Sequence, residues 1–208
     1  MKYILIFIYI TVFLQASSKF EIELNYQKNY LKILNEQKIL LHSLNKKDKP
    51  QNLIKKYGFD KIPLTKKNIL KRVQPIPKEI MLAQAYLESN NGNSRFAKKG
   101  YNYFGIWTYN SKDKGFIPKK REKGKKHRVQ KFNSTEEAIN KYTEILNSAI
   151  FYNKFRNIRK KILEKYNYKY SFKNNDILYM VEGLNKYSED KNYINKLKSI
   201  IKERKYDN

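Results

Sequence analysis

Glu88 is the side chain in this sequence best placed to do chemistry. Met81 lies seven positions before it and Ala85 three before it, which at helical pitch sets the carboxyl on an apolar face. Desolvation on such a face raises a carboxyl's pKa, and an acid that stays protonated near neutral pH can hand its proton to a leaving oxygen. Helix geometry alone favours the other orientation, outward from a last turn, because ionisable side chains rarely stay buried without a partner. A second carboxylate to activate the incoming group has two candidates downstream, Asp113 and Glu122. Glu122 sits in Lys119-Lys120-Arg121-Glu122-Lys123, where cations would keep it ionised as a base requires, although an ordinary solvated charge run has the same composition.

The element that must position Glu88 is a helix. Pro77 suits its first position, where a missing N–H costs nothing, and the helix runs through Ile80, Met81, Ala83, Ala85 and Leu87 to Glu88. Asn90-Asn91-Gly92 offers positive φ to end it. Helical periodicity fails from Gly100 to Phe132, where glycines at 100, 105, 115 and 124, Pro118, aromatic residues and a dense Lys/Arg run indicate loop with short strands. A capping box from Ser134 to Glu137 then opens a helix with the face Ala138, Tyr142, Ile145, Leu146 and Ala149. Three more helices follow, marked by Phe155, Ile158, Ile162 and Leu163, by Ile177, Met180, Val181 and Leu184, and by Tyr193, Ile194, Leu197, Ile200 and Ile201. Upstream, Ile22, Leu24, Leu31, Leu34, Leu41 and Leu44 predict one or two amphipathic helices over 20–44, and a short helix is expected around 51–57. The expected class is α+β, predominantly helical, with a small irregular or β lobe inserted after the helix that carries Glu88.

The chain has 208 residues, with 45 Lys plus Arg against 19 Asp plus Glu and a formal charge of +26. That surface seeks a polyanion, and nucleic acid, an anionic membrane face and a carboxylate-rich cell wall all qualify. Heavy use of Lys, Asn, Ile and Tyr is equally what a biased base composition would leave. There is no cysteine, and His42 and His127 stand far apart without ligand spacing, so thiol, disulfide and zinc chemistry are excluded and neither histidine receives a role. Lys2, the apolar run Tyr3 to Leu14 and Gln15-Ala16-Ser17-Ser18 follow the pattern of a signal peptide. Export is therefore expected, which argues against nucleic acid as the partner.

Ala83-Gln84-Ala85-Tyr86-Leu87-Glu88-Ser89, then Gly92, Ser94-Arg95-Phe96-Ala97 and Asn102-Tyr103-Phe104-Gly105-Ile106-Trp107, resemble the glucosaminidase domain of family 73 glycoside hydrolases, most closely its Bax-like branch. The resemblance continues through Arg128-Val129, Phe132, Ser134, Tyr142, Leu146-Asn147, Tyr152, Phe155-Arg156 and Arg159 to Gly183-Leu184, Tyr187-Ser188 and Tyr193-Ile194. It implies a lysozyme-like fold and an endo-β-N-acetylglucosaminidase that cuts the β-1,4 bond after N-acetylglucosamine in peptidoglycan. Glu88 falls at the family's catalytic acid, and Tyr187 at a tyrosine that the family places near the acid. The lobe varies most among members, so the resemblance leaves the role of Glu122 open, and the substrate's own 2-acetamido group could serve instead.

Aromatic faces suit sugar rings, which makes Trp107, Tyr109 and Phe104 candidate glycan contacts, although Phe104 also fits a core position. Asn102 could hydrogen-bond an acetamido group or nearby backbone. Lys119, Lys120, Arg121, Lys123, Lys125, Lys126 and Arg128 could meet carboxylates of the wall's stem peptides, and a solvated loop reads the same. The expected organisation is a signal peptide over 1–18, a helical extension over 19–74 and a glucosaminidase domain over 75–208. No metal or cofactor is expected, and the expected partners are peptidoglycan strands in the periplasm or cell envelope, with peripheral contact to the envelope. A lytic transglycosylase or a noncatalytic wall-binding protein are the alternatives.

Overall fold

The computed structural model describes residues 2–118 and 124–203, with side chains from Glu21 onward. Helix α1 (Lys2–Ser43) runs unbroken through residue 18. Its buried positions Ile22, Tyr26, Ile33 and Leu40 are interleaved with Asn25, Asn29, Glu36 and Ser43, while Leu24 and Leu31 are 52% and 66% exposed. Of the predicted face, Ile22 is buried and Leu41 and Leu44 pack against the core, whereas Leu24 and Leu31 face outward, and half of the buried row is polar instead. Each of those polar groups has a partner: Asn25 donates to the Glu21 carbonyl, Thr143 to Asn29, and Lys56 and Tyr57 to Glu36. Among the described residues no helix is long and apolar enough to cross a membrane.

Helix α2 (Gln51–Lys56) matches the expected short piece, whereas α3 (Lys66–Arg72), capped by Thr65 Oγ1 accepting from Asn68 N at 3.2 Å, is additional. Helix α4 (Lys78–Glu88) begins one residue after Pro77, whose carbonyl accepts its first bond, from Met81 N. It stops where Asn90, Asn91 and Gly92 take φ of 50, 55 and 77°, the turn that these residue types predict. Helix α5 (Arg95–Gly100), capped by Ser94, leads into strands β1 (Trp107–Thr108), β2 (Gly115–Phe116) and β3 (Arg128–Gln130). They form one antiparallel sheet of order β1-β3-β2, with Trp107 opposite Val129 and Phe116 opposite Val129 on the other side. Helix α6 (Thr135–Ser148) keeps the forward half of its capping box, Glu137 N to Ser134 Oγ, while the Glu137 carboxylate accepts from Asn133 N, one residue earlier than the box predicts. A 3-10 turn (Ile150–Tyr152), α7 (Asn153–Lys165), α8 (Asn174–Val181) with a 3-10 turn (Glu182–Leu184), and α9 (Tyr193–Glu203) complete the described residues, as the last three apolar rows predict.

The residues divide into two compact units, one of 1–27 and 82–142, the other of 28–81 and 143–208. In the first, Phe104 stacks on Tyr142 at 4.1 Å, and the Tyr142 hydroxyl donates to the buried Gln84 at 2.7 Å. Sheet and helix meet closely there, since a Cβ on Gly100 would stand 2.4 Å from the Phe116 ring.

The second unit packs Ile33, Leu40, Leu53, Tyr57, Phe59, Ile69 and Val73 into one apolar cluster. Three arginines tie its helix ends. Arg72 donates to the carbonyls of Tyr57 and Ser148, which follow α2 and end α6. Arg156 donates to those of Leu146 and Ala149, and Arg159 to those of Lys71 and Arg72 and to the Asn147 amide oxygen. Helix C-termini leave carbonyls unsatisfied and carry the negative end of the dipole, so a guanidinium answers both needs. Burial, then the neighbouring Arg72 and Arg159, push the pKa of Arg156 down. Gly183 fits against α7 so closely that a Cβ there would lie 2.3 Å from Phe155 Cα.

Candidate active site

Glu88 occupies the last position of α4 in the first unit. The residues below it on the same face, Met81 and Ala85, are buried as the periodicity predicts, and Glu88 itself is half-buried. The turn that follows is pinned from both sides: Ser89 Oγ donates to the Ala85 carbonyl at 2.5 Å and accepts from Gly92 N at 2.6 Å. Its rigidity fixes where the Glu88 side chain departs from the helix.

Gly105 receives that side chain. It has a φ of +64°, and a Cβ built on it would lie 3.0 Å from Glu88 Oε2, so the carboxylate rests against bare backbone. Asn102 sets the course of that backbone. Its amide donates to the carbonyls of Ile106 and Gln130, both at 2.8 Å, and its oxygen accepts from Ile106 N at 2.9 Å. Asn102 is 2% exposed, and both of its N–H groups are engaged with backbone. Of the two readings of Asn102, acetamido contact or backbone partner, its bonds are those of the second: it belts the Gly105 loop to β3. Phe104, read as either a glycan contact or a core residue, takes the core place, buried and stacked on Tyr142.

Trp107 and Tyr109 lie at the surface, 47% and 78% exposed. Between them sits His127, its ring centroid 4.4 Å from Trp107 and 6.1 Å from Tyr109. Sequence reasoning gave His127 no role, and only the pairing of β1 with β3 brings it beside Trp107. The three rings form an exposed aromatic patch in the lobe that also holds Gly105.

Of the two possible second carboxylates, Asp113 accepts from Thr108 Oγ1 at 2.5 Å and Asn110 Nδ2 at 3.1 Å, which commits it to closing the turn after β1. Arg128 completes that turn by donating to the carbonyls of Asn110 and Ser111. It is thus occupied within the lobe rather than offered to stem-peptide carboxylates. Glu122 lies outside the described residues, with Lys119, Lys120, Arg121 and Lys123. Lys125 and Lys126 are exposed. In the second unit Tyr187 is half-buried, parallel to Tyr193 with centroids 5.7 Å apart, and 5.9 Å from Tyr152.

The family model described as Glucosaminidase, mannosyl-glycoprotein endo-beta-N-acetylglucosaminidase, matches residues 66–206. No curated protein and no solved structure matches the chain.

Proposed function

We propose, starting from a chain that belongs to the glucosaminidase family and has its predominantly helical, lysozyme-like α+β fold, that the bond cleaved is the β-1,4 linkage after N-acetylglucosamine in peptidoglycan, with Glu88 as general acid. Membership makes this a glycoside hydrolase domain with a glycan polymer as substrate. The observation that carries the finer reading is the placement of Glu88, half-buried at the end of an apolar helix with its carboxylate against the Gly105 backbone.

In the step itself Glu88 gives its proton to the glycosidic oxygen as the bond from C1 to that oxygen breaks, and water adds to C1. Water then returns a proton to Glu88. Because Asp113 is committed to its turn, the group that assists at C1 is either Glu122 or the acetamido oxygen of the substrate. Trp107, Tyr109 and His127 offer ring faces to the sugars. Residues 1–18, patterned as a signal peptide, support export to the periplasm or cell envelope.

The deciding experiment digests purified peptidoglycan with the wild type and with Glu88→Gln, followed by mass spectrometry of reduced products. Fragments ending in reduced N-acetylglucosamine, lost in the variant, are the expected result. Anhydro ends would make the enzyme a lytic transglycosylase, and undiminished cleavage by Glu88→Gln would remove Glu88 from the mechanism.

A further inference from the structure

Between α7 and α8 of the second unit lies a cavity of about 490 Å³, within the range of small-ligand sites. Its lining has a chemical order. Asn153, Asn157 and Lys161 follow one another at helical i, i+4 spacing, and Lys154 stands beside them, all exposed on α7. Ile158 forms a buried floor, and Tyr179 of α8 presents a half-exposed ring. Within the described residues, the side chains of Asn153, Lys154, Asn157, Lys161 and Tyr179 make no hydrogen bond or ion pair. Glu182, the acidic member of the lining, is engaged by Lys198. The site thus offers two uncompensated ammonium groups, two free amides and an aromatic face over an apolar base.

We propose that this cavity binds a short extended peptide bearing two carboxylates about three residues apart. Lys154 and Lys161 are seven residues apart on α7, about 10 Å along the axis at 1.5 Å per residue. An extended chain covers that distance in about three residues. The amides of Asn153 and Asn157 each donate and accept, which matches the peptide groups between the two charges. A polyphosphate fits worse, because the lining has no arginine for bidentate capture. The proposal rests on the glycan-hydrolase reading insofar as such a peptide would be the one attached to that enzyme's polymer.

The test is calorimetric titration of the full chain with a synthetic tetrapeptide, acidic at its first and fourth positions and blocked at both ends, and with its twin carrying amides at those positions. The acidic peptide is expected to bind the wild type and Glu88→Gln equally. The amide twin, and the Lys154→Ala/Lys161→Ala variant, are expected to bind about tenfold or more weakly, with affinity falling as salt is added. Both lysines are exposed, so the variant should fold with unchanged thermal unfolding. It should also cut a peptide-free N-acetylglucosamine oligomer at the wild-type rate, while its KM on intact wall polymer rises. Absence of binding to the wild type, equal binding of the twin, or an unaffected double variant would overturn the proposal. Binding of the acidic peptide alongside full cleavage by Glu88→Gln would sustain it and instead refute the assignment of the acid.

Discussion

Gly105→Ala puts the contact between the candidate acid and the lobe under direct strain. The new Cβ would stand 3.0 Å from Glu88 Oε2, about 0.4 Å inside ordinary contact, at a backbone position with φ of +64°. The two penalties differ in kind. A left-handed non-glycine residue costs about 1–2 kcal/mol, which for a domain of this size lowers Tm by roughly 2–8 °C. The contact itself is cheap in stability, because the obstacle is the far end of a flexible side chain that can swing away. It is expensive in catalysis, because a misplacement of about 1 Å is worth on the order of a hundredfold, so a shift of about 0.4 Å should lower kcat about five- to tenfold. The assay pairs turnover on peptidoglycan with thermal unfolding of Gly105→Ala, measured alone and in a Glu88→Ala background. The backbone penalty in Tm should persist in both backgrounds, while the turnover of Gly105→Ala is read against the wild type, since Glu88→Ala has none to lose. Full activity of Gly105→Ala at a lowered Tm would refute the placement of the carboxylate against this backbone.

Three further outcomes follow from the same geometry. Gly183→Ala should lower stability by about 3 kcal/mol or more, because the atoms that it meets, Phe155 Cα and N, are backbone that cannot move aside; thermal or denaturant unfolding measures this. Trp107→Ala should raise KM for the polymer several-fold with little change in Tm, because the ring is about half exposed and packs mainly on His127. Tyr57 has its pKa pushed up by burial and by the Glu36 carboxylate that it hydrogen-bonds, so its phenol ionises more readily in the unfolded chain than in the fold. Stability that this group contributes is intact below about pH 10, its unfolded value, and declines as pH rises beyond it; Tyr57→Phe should flatten that alkaline fall in Tm.

The helices bearing strong apolar rows, α4 and α6 to α9, were legible because their periodicity reports burial directly, and the end of α4 was legible because Asn90-Asn91-Gly92 can adopt positive φ at low cost. The buried face of α1 was not, since Asn25, Asn29 and Glu36 occupy positions that a hydrophobic count treats as exposed. Their partners, Thr143 for Asn29 and Lys56 and Tyr57 for Glu36, come from distant parts of the chain. Asn102 and Phe104 show the same limit at the site. Their types suit a sugar, but Asn102 bonds Gln130, 28 residues on, and Phe104 stacks on Tyr142, and no local pattern announces either pairing. The role of His127 depends on strand pairing, and strands of two or three residues are too short to show alternation.

The arginine ties of the second unit have a consequence for how its helices stay joined when conditions change. Arg72, Arg156 and Arg159 are answered mainly by main-chain carbonyls, which take up no proton anywhere in the range where proteins survive. A joint between guanidinium and carboxylate loosens as acid neutralises one partner; these have no such partner to lose. Acidification must therefore attack this half of the molecule elsewhere, as at Asp176, whose carboxyl burial would raise but the Tyr166 hydroxyl and Lys165 hold below its usual range, so that the tie between α7 and α8 loosens while the ends of α2, α3 and α6 remain clasped.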